Sequence, residues 1–241
     1  MNIFGAKNLP AWPARLTGVT PGKFTLALLA PLVGLLVDMH GGVYGQLAVG
    51  VAVWGLTIWL IQGSAPGWRL VFWACLIWST AGEIFLSLVW GLYTYRLENI
   101  PFFIPPGHVL LLYLGMVLAP GLPRGAEFLV PACAILYAAV AWITHLDTLS
   151  AALTLLFLLG MMQKEGRRLY AVMFVLSLLL ELYGTWLGNW VWHREVPYTA
   201  FVSTNPPAAA GAFYCMLDVL VVLTVRGLAR RAGAGVVPNS A

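Results

Sequence analysis

The chain has 241 residues, of which 61% are hydrophobic and only 9% are charged, and its formal net charge at pH 7 is +4. Soluble domains carry about a quarter charged residues, so this composition excludes an ordinary soluble domain. It predicts an all-α integral membrane protein, because helices satisfy their own backbone groups in lipid. The composition gives no sign of nucleic-acid binding, since Lys and Arg are spread over several loops.

Eight apolar stretches approach the ~20 residues that a helix needs to cross the ~30 Å hydrocarbon core. The predicted transmembrane helices cover 24–40, 43–62, 68–93, 107–120, 126–146, 148–163, 168–192 and 207–227. With alternating spans, 11 of the 13 Lys and Arg residues fall on one side, which predicts that both termini are cytoplasmic. We interpret the location as a cell membrane, and specifically a bacterial inner membrane.

One sequence pattern occurs twice, beginning at Glu83 and again at Glu181. Each copy has an acid inside an apolar stretch, aromatic residues at alternate positions, an Arg 13 residues after the acid, and a Pro-Pro pair followed seven residues later by a Tyr. This predicts two parallel four-helix repeats with a site at their interface. The predicted divisions are a cytoplasmic segment 1–23, repeats 24–120 and 121–230, and a flexible tail 231–241. Chance similarity of two aromatic segments is the alternative.

Three acids are expected near the membrane midplane. At a rise of ~1.5 Å per residue, Glu83, Glu181 and Asp218 each lie roughly 16–18 Å below the outer surface. Inserting an acid there costs about 2.5–3.5 kcal/mol. The alternative role is structural, in which each acid forms an interhelical hydrogen bond. Such a bond stabilises the fold by only about 0.6–2 kcal/mol, which does not offset the insertion cost of all three acids. We therefore predict that Glu83, Glu181 and Asp218 are catalytic.

The second group of candidates surrounds the predicted outer mouth of this site and is expected to bind substrate. It comprises Tyr93, Tyr95, Arg96, His108, Tyr113, Trp190, Trp192, His193, Arg194, Asn205 and Tyr214. Three alternatives stay open: the alternate aromatics form a membrane-interface belt, the two arginines pair with Glu98 and Glu195, and Asn205 caps a helix. The histidines show no local metal-ligand spacing, so neither a metal nor another cofactor is expected, and no disulfide pattern is present. A metal site formed by the outer-face histidines with Asp38 or Asp147 is the alternative that stays open.

Two classes of function fit these features. The first is an intramembrane enzyme, such as a cyclase, isomerase, hydratase or transferase, acting on an isoprenoid or lipid-linked substrate by carboxylic acid/carboxylate general acid-base chemistry. The second is a proton-coupled transporter or lipid carrier, and a non-catalytic subunit of a larger membrane complex is a further option. Membrane lipid and a lipophilic small molecule are the expected partners, with a protein partner or a homo-oligomer also open. A blind cavity with a lateral opening to lipid would favour the enzyme.

Overall fold

The computed structural model describes residues 16–231, so most of the predicted segment 1–23 and nearly all of the tail 231–241 lie outside the described residues. The elements in chain order are α1 (Pro21–Gln62), α2 (Pro66–Glu83), a π-helix (Ile84–Val89), β1 (Tyr93–Tyr95), α3 (Ile104–Leu118), α4 (Ala126–Ile143), α5 (Thr148–Met161), α6 (Arg167–Leu187), β2 (Trp190–Trp192) and α7 (Gly211–Arg231). Short 3-10 turns follow α3 at Ala119–Gly121 and precede α6 at Lys164–Gly166.

Six helices within the described part of the chain are long and apolar enough to cross a membrane. The 14-residue α5 is also apolar but shorter. Large apolar side chains cover the outside of the molecule, including Val51, Ile77 and Leu136, each more than 60% exposed. This surface suits lipid rather than water, so the structure indicates a multi-pass helical membrane protein.

The first helix folds back on itself at Gly42. This residue has φ 55° and ψ −149°, a conformation that glycine adopts without the steric cost of a side chain. A Cβ atom on Gly34 would lie 3.1 Å from Val49 Cγ1, although 15 residues of straight helix would separate them by about 22 Å. The two arms of α1 therefore lie side by side, in the places of the predicted helices 24–40 and 43–62.

Two predicted helices are too long at their C-terminal ends. The helix predicted for 68–93 ends with the π-helix at Val89, and the helix predicted for 168–192 ends at Leu187. The residues that follow form strands β1 and β2, which pair antiparallel with Tyr93 opposite Trp192 and Tyr95 opposite Trp190. Alternation of aromatic and small or aliphatic residues (Y-T-Y, W-V-W) is the strand signal that the helix prediction passed over.

The remaining helix bounds differ from prediction by a few residues. α3 starts at Ile104, with proline at its first positions, and α7 starts at Gly211, four residues beyond Pro207. Contacts across loops bring Glu165 to Arg226 at one end of the molecule. At the other end Arg96 reaches Asp38. The helix α3 packs against α1, α2 and α6, and α7 packs against α2, α5 and α6, while β1 contacts the π-helix and β2 contacts α6.

Candidate functional site

Strand β1 points two tyrosines at one carboxylate. The hydroxyls of Tyr93 and Tyr95 both donate to Oε2 of Glu83, at 2.8 and 2.6 Å. Glu83 is the last residue of α2 and is followed directly by the π-helix, a wider turn that is frequent at functional sites. Because side chains two apart in a strand share a face, the alternation in β1 delivers both hydroxyls to the same oxygen.

Strand β2 repeats this arrangement with indoles. Trp190 Nε1 and Trp192 Nε1 both donate to Oε2 of Glu181, at 2.8 and 2.9 Å. One turn after Glu181 in α6, Gly184 lies under the Trp190 ring, and a Cβ atom there would overlap the ring. Only glycine leaves the space in which Trp190 reaches the glutamate.

The second oxygen of each glutamate is bound from a neighbouring helix. His108 Nε2 in α3 lies 2.9 Å from Glu83 Oε1, and the Tyr214 hydroxyl in α7 donates to Glu181 Oε1 at 3.0 Å. The His108 and Tyr214 rings are in contact, with centroids 4.8 Å apart. We call these residues the central cluster: Glu83, Tyr93, Tyr95, His108, Glu181, Trp190, Trp192 and Tyr214.

The donors restrict where protons can lie in the central cluster. An indole N–H only donates, so Glu181 Oε2, which receives two of them, carries no proton. Burial, followed by the nearby Glu83 charge, raises the pKa of the Tyr93 and Tyr95 phenols well above its usual range, so both stay protonated donors. We assign the imidazole hydrogen of His108 to Nε2, because a carboxylate at Glu83 can only accept, and Nδ1 then has no partner within the described residues.

Two cavities meet at the central cluster. The larger, of about 420 Å³, lies beside α2 and α7. The smaller, of about 50 Å³, lies beside α1, α3 and α6. Glu83, Tyr93, His108, Glu181 and Tyr214 line both cavities. The polar groups thus separate two largely apolar spaces, and both glutamates are accessible from each.

The predicted arginines do not pair with Glu98 and Glu195. Arg96 Nη2 binds the backbone oxygen of Asp38 and lies 3.5 Å from its carboxylate, which also accepts from Gln46 at 3.0 Å and Asn189 at 2.7 Å. Arg194 donates to the backbone oxygens of Leu146, His145 and Ser203. Arg96 therefore links the end of β1 to the first arm of α1, and Arg194 links the end of β2 to the turn between α4 and α5.

Four other predicted site residues lie apart from the central cluster. His193 is exposed and contacts Thr94 Oγ1 at 2.9 Å on the outer face of the sheet. Asn205 accepts from the Trp192 backbone N–H at 2.9 Å and does not cap a helix. Tyr113 and Asp218 are buried, line neither cavity, and their hydroxyl and carboxylate oxygens have no partner within residues 16–231. The catalytic role of Asp218 stays a prediction.

The membrane-belt alternative is wrong for the four alternate aromatics. Tyr93, Tyr95, Trp190 and Trp192 are at most 6% exposed, so they lie inside the protein rather than at its boundary with lipid and water.

Sequence reasoning missed one polar anchor outside the central cluster. Asp147 is completely buried and accepts from the Ser150 backbone N–H and hydroxyl, from Thr204, and from the Ala208 backbone. Its signal was the D-x-x-S spacing at the start of α5, which is typical of a helix N-cap. These hydrogen bonds from Thr204 and Ala208 to Asp147 fix the position of the long loop before α7.

Comparison with known proteins adds no assignment. The chain matches no protein-family model, and no curated protein or solved structure is significantly similar to it. No group of three or more His, Cys, Asp or Glu residues suited to a metal occurs within 16–231. Function must therefore be argued from the central cluster and its cavities.

Proposed function

We propose that this protein is a multi-pass membrane enzyme that performs general acid-base chemistry on a lipophilic substrate at the central cluster. The observation that carries the proposal is the meeting of Glu83, His108 and Glu181 at the wall of a 420 Å³ cavity. Ligand sites have about this volume, a mostly apolar lining and a few convergent polar groups. The substrate class is isoprenoid or lipid-linked, and the reaction is a cyclisation, isomerisation, hydration or transfer.

The chemistry divides between the two ends of the central cluster. Glu83 accepts the Nε2 hydrogen of His108 and so orients the imidazole, which leaves Nδ1 as the free base. At the Glu181 end of the central cluster, the Tyr214 hydroxyl donates to Glu181 Oε1, the carboxylate oxygen that accepts no hydrogen bond from an indole. His108 therefore acts as the base that removes a proton from the substrate. The Glu181–Tyr214 pair acts as the acid that donates a proton to it. General acid-base catalysis of this kind contributes ~10²–10⁴-fold to a rate.

The proposed topology has eight membrane passes in two parallel four-helix repeats, with cytoplasmic termini in a bacterial inner membrane. The two arms of α1 supply the first two passes, and α5 supplies a short sixth. Antiparallel pairing of β1 with β2 supports the repeat, because a twofold axis between equivalent strands brings residue i against j and j against i. The central cluster then lies at the repeat interface, where such proteins bind substrate.

The test measures hydrogen exchange between lipids and solvent. The purified protein, in nanodiscs made from the lipid extract of its source membranes, is incubated in D₂O, and the lipids are analysed by mass spectrometry. We expect wild type to introduce deuterium into one lipid species or its product. Glu83→Gln and Glu181→Gln should abolish this incorporation while the protein remains folded and inserted.

The matched controls are Glu98→Gln and Glu195→Gln, which change exposed glutamates in the outer loops and should retain full incorporation. If Glu83→Gln and Glu181→Gln both kept wild-type incorporation, the two glutamates would be structural and the proposal would be wrong. Lipid movement between leaflets without any deuterium incorporation would instead identify a carrier.

A further inference from the structure

The larger cavity has a wall that faces the outside of the protein. It lies between α2 with its π-helix on one side and α7 on the other. Trp78, Phe85 and Leu220, which line it, are 36%, 51% and 36% exposed on the apolar outer surface. The cavity is therefore continuous with the surface that faces lipid.

Two tryptophans tie the sides of this opening together at its ends. Trp78 Nε1 in α2 donates to Thr224 Oγ1 in α7 at 2.8 Å. Trp90 Nε1, just after the π-helix, donates to the Pro197 backbone oxygen at 3.1 Å. Within the described residues no other hydrogen bond joins α2 and its π-helix to α7 or to the loop that carries Pro197, so these two bonds mark the ends of the opening.

The height of the opening fits a hydrocarbon chain. Twelve residues separate Trp78 from Trp90, which corresponds to about 18 Å of helix. Glu83 lies five residues from Trp78 and is thus near mid-height. An opening at this depth faces the chains of the surrounding lipids, whereas their polar head groups lie at the membrane surface.

We propose that the opening between the π-helix end of α2 and the N-terminal half of α7 is a lateral portal that binds the hydrocarbon chain of a bilayer lipid and delivers the chain, not the head group, to the central cluster. This rests on the membrane placement and the site given under Proposed function, and it adds the route and the part of the substrate that reacts. A cavity of about 150 Å³ holds one benzene molecule, so 420 Å³ holds a chain segment of roughly fifteen carbon atoms.

The lining of the portal matches this occupant. Apart from Glu83, His108 and Glu181, its lining residues carry no ionisable group other than the tyrosines of the central cluster. Trp78, Phe85 and Phe213 present aromatic faces to the cavity, and Met216 and Leu217 complete the α7 side. An anionic head group would find no Lys or Arg among these lining residues and would lose its hydration, which costs several kcal/mol.

Gly82 offers a way to close the portal without changing the central cluster. It lines the cavity, and a Cβ atom there would meet no atom within 4 Å. Gly82→Phe should fill the cavity, and Leu217→Trp fills it from the opposite wall, in case the first variant folds poorly. Gly55→Phe is the matched control, because Gly55 is also free of neighbours but lies on the exposed face of α1.

Photolabelling tests the portal directly. Two phosphatidylcholines are used in nanodiscs, one with a diazirine in the middle of an acyl chain and one with a diazirine on the head group. We expect the chain probe to label peptides containing Ser79 and Ala210, which are buried and line the cavity. The head-group probe should leave these residues unlabelled, and both blocking variants should remove the label while Gly55→Phe retains it.

The outcomes separate the portal from the proposed chemistry. If the chain probe labels only exposed residues, or the head-group probe labels Ala210, the portal as proposed is wrong even where deuterium incorporation is intact. If labelling behaves as expected but no variant of the protein incorporates deuterium, the portal stands and the catalytic proposal fails. If both hold, Gly82→Phe should lose deuterium incorporation and Gly55→Phe should keep it.

Discussion

The two glutamates of the central cluster occupy equivalent places and have different neighbours. Glu83 and Glu181 each accept three hydrogen bonds, two at Oε2 from a strand and one at Oε1 from a helix. The donors are two phenols and an imidazole at Glu83, and two indoles and a phenol at Glu181. The imidazole of His108 is the only one of these six donors that has a second ring nitrogen able to bind a proton.

The difference shows that two similar arrangements of strand, helix and glutamate carry different hydrogen-bond donors. Indoles can only donate, so they fix Glu181 as an acceptor at Oε2. At Glu83 the partner in the helix is an imidazole, and its second ring nitrogen, Nδ1, is buried without a hydrogen-bond partner within the described residues. Proton exchange is therefore expected to depend most on the Glu83 half, and stability on both halves.

Among the variants that distinguish the two halves, the largest effect is expected from His108→Gln. Glutamine can still donate to Glu83 but offers no basic nitrogen, so deuterium incorporation should fall ~10²–10⁴-fold. His193→Gln is the matched control, because His193 is exposed on the other face of the sheet, and it should retain wild-type incorporation. Equal activity of wild type and His108→Gln would remove the functional distinction between the halves and leave His108 as a packing residue.

An intermediate effect is expected when one strand donor is removed from each glutamate. Hydrogen bonds to charged groups contribute about 1.5–3 kcal/mol, so Tyr95→Phe and Trp192→Phe should both lower the thermal unfolding midpoint in detergent. The decrease should be greater for Trp192→Phe, since it also leaves a void in the core.

The controls for this pair change the same residue types at the surface. Tyr44 is 87% exposed and Trp186 is 78% exposed, so Tyr44→Phe and Trp186→Phe should leave the unfolding midpoint close to wild type. A larger decrease for Tyr95→Phe than for Trp192→Phe would show that the phenol side of the central cluster, rather than the indole side, is the principal anchor.

Much of this arrangement could be predicted from the sequence because acids are costly in lipid. Glu83 and Glu181 stood out as ionisable residues in apolar stretches, and the doubled pattern pointed to a common location. The alternate aromatics recur at a similar spacing after each acid, which predicts that they bind substrate, with a membrane-interface belt as the alternative. Both predictions needed only local spacing and the cost of burying charge.

The partners at Oε1 could not be predicted, because they depend on how helices rotate about their axes. Spacing from the Pro-Pro pairs singled out Tyr113 and Tyr214 as equivalents, yet the structure brings His108 and Tyr214 to the glutamates. α3 begins at Ile104, whereas α7 begins four residues after Pro207, so equal spacing from proline does not give equal positions along the two helices. A loop difference of a few residues thus changes which side chain faces the site.

The smallest effect is expected from Tyr113→Phe, and it tests this loss of symmetry. The Tyr113 hydroxyl is buried without a partner within the described residues, so removing it relieves a desolvation cost of about 1–3 kcal/mol, and the unfolding midpoint should stay level or rise slightly. Deuterium incorporation should be unchanged.

Tyr214→Phe is the counterpart of Tyr113→Phe in the proposed second repeat. It leaves Glu181 Oε1 without its donor, so both the unfolding midpoint and deuterium incorporation should fall. If the two variants lost deuterium incorporation to the same degree, the equivalence predicted from the sequence would hold in function, and the Tyr113 hydroxyl would have to reach the site during turnover. If only Tyr214→Phe is impaired, the repeats share a scaffold but not a set of reacting groups.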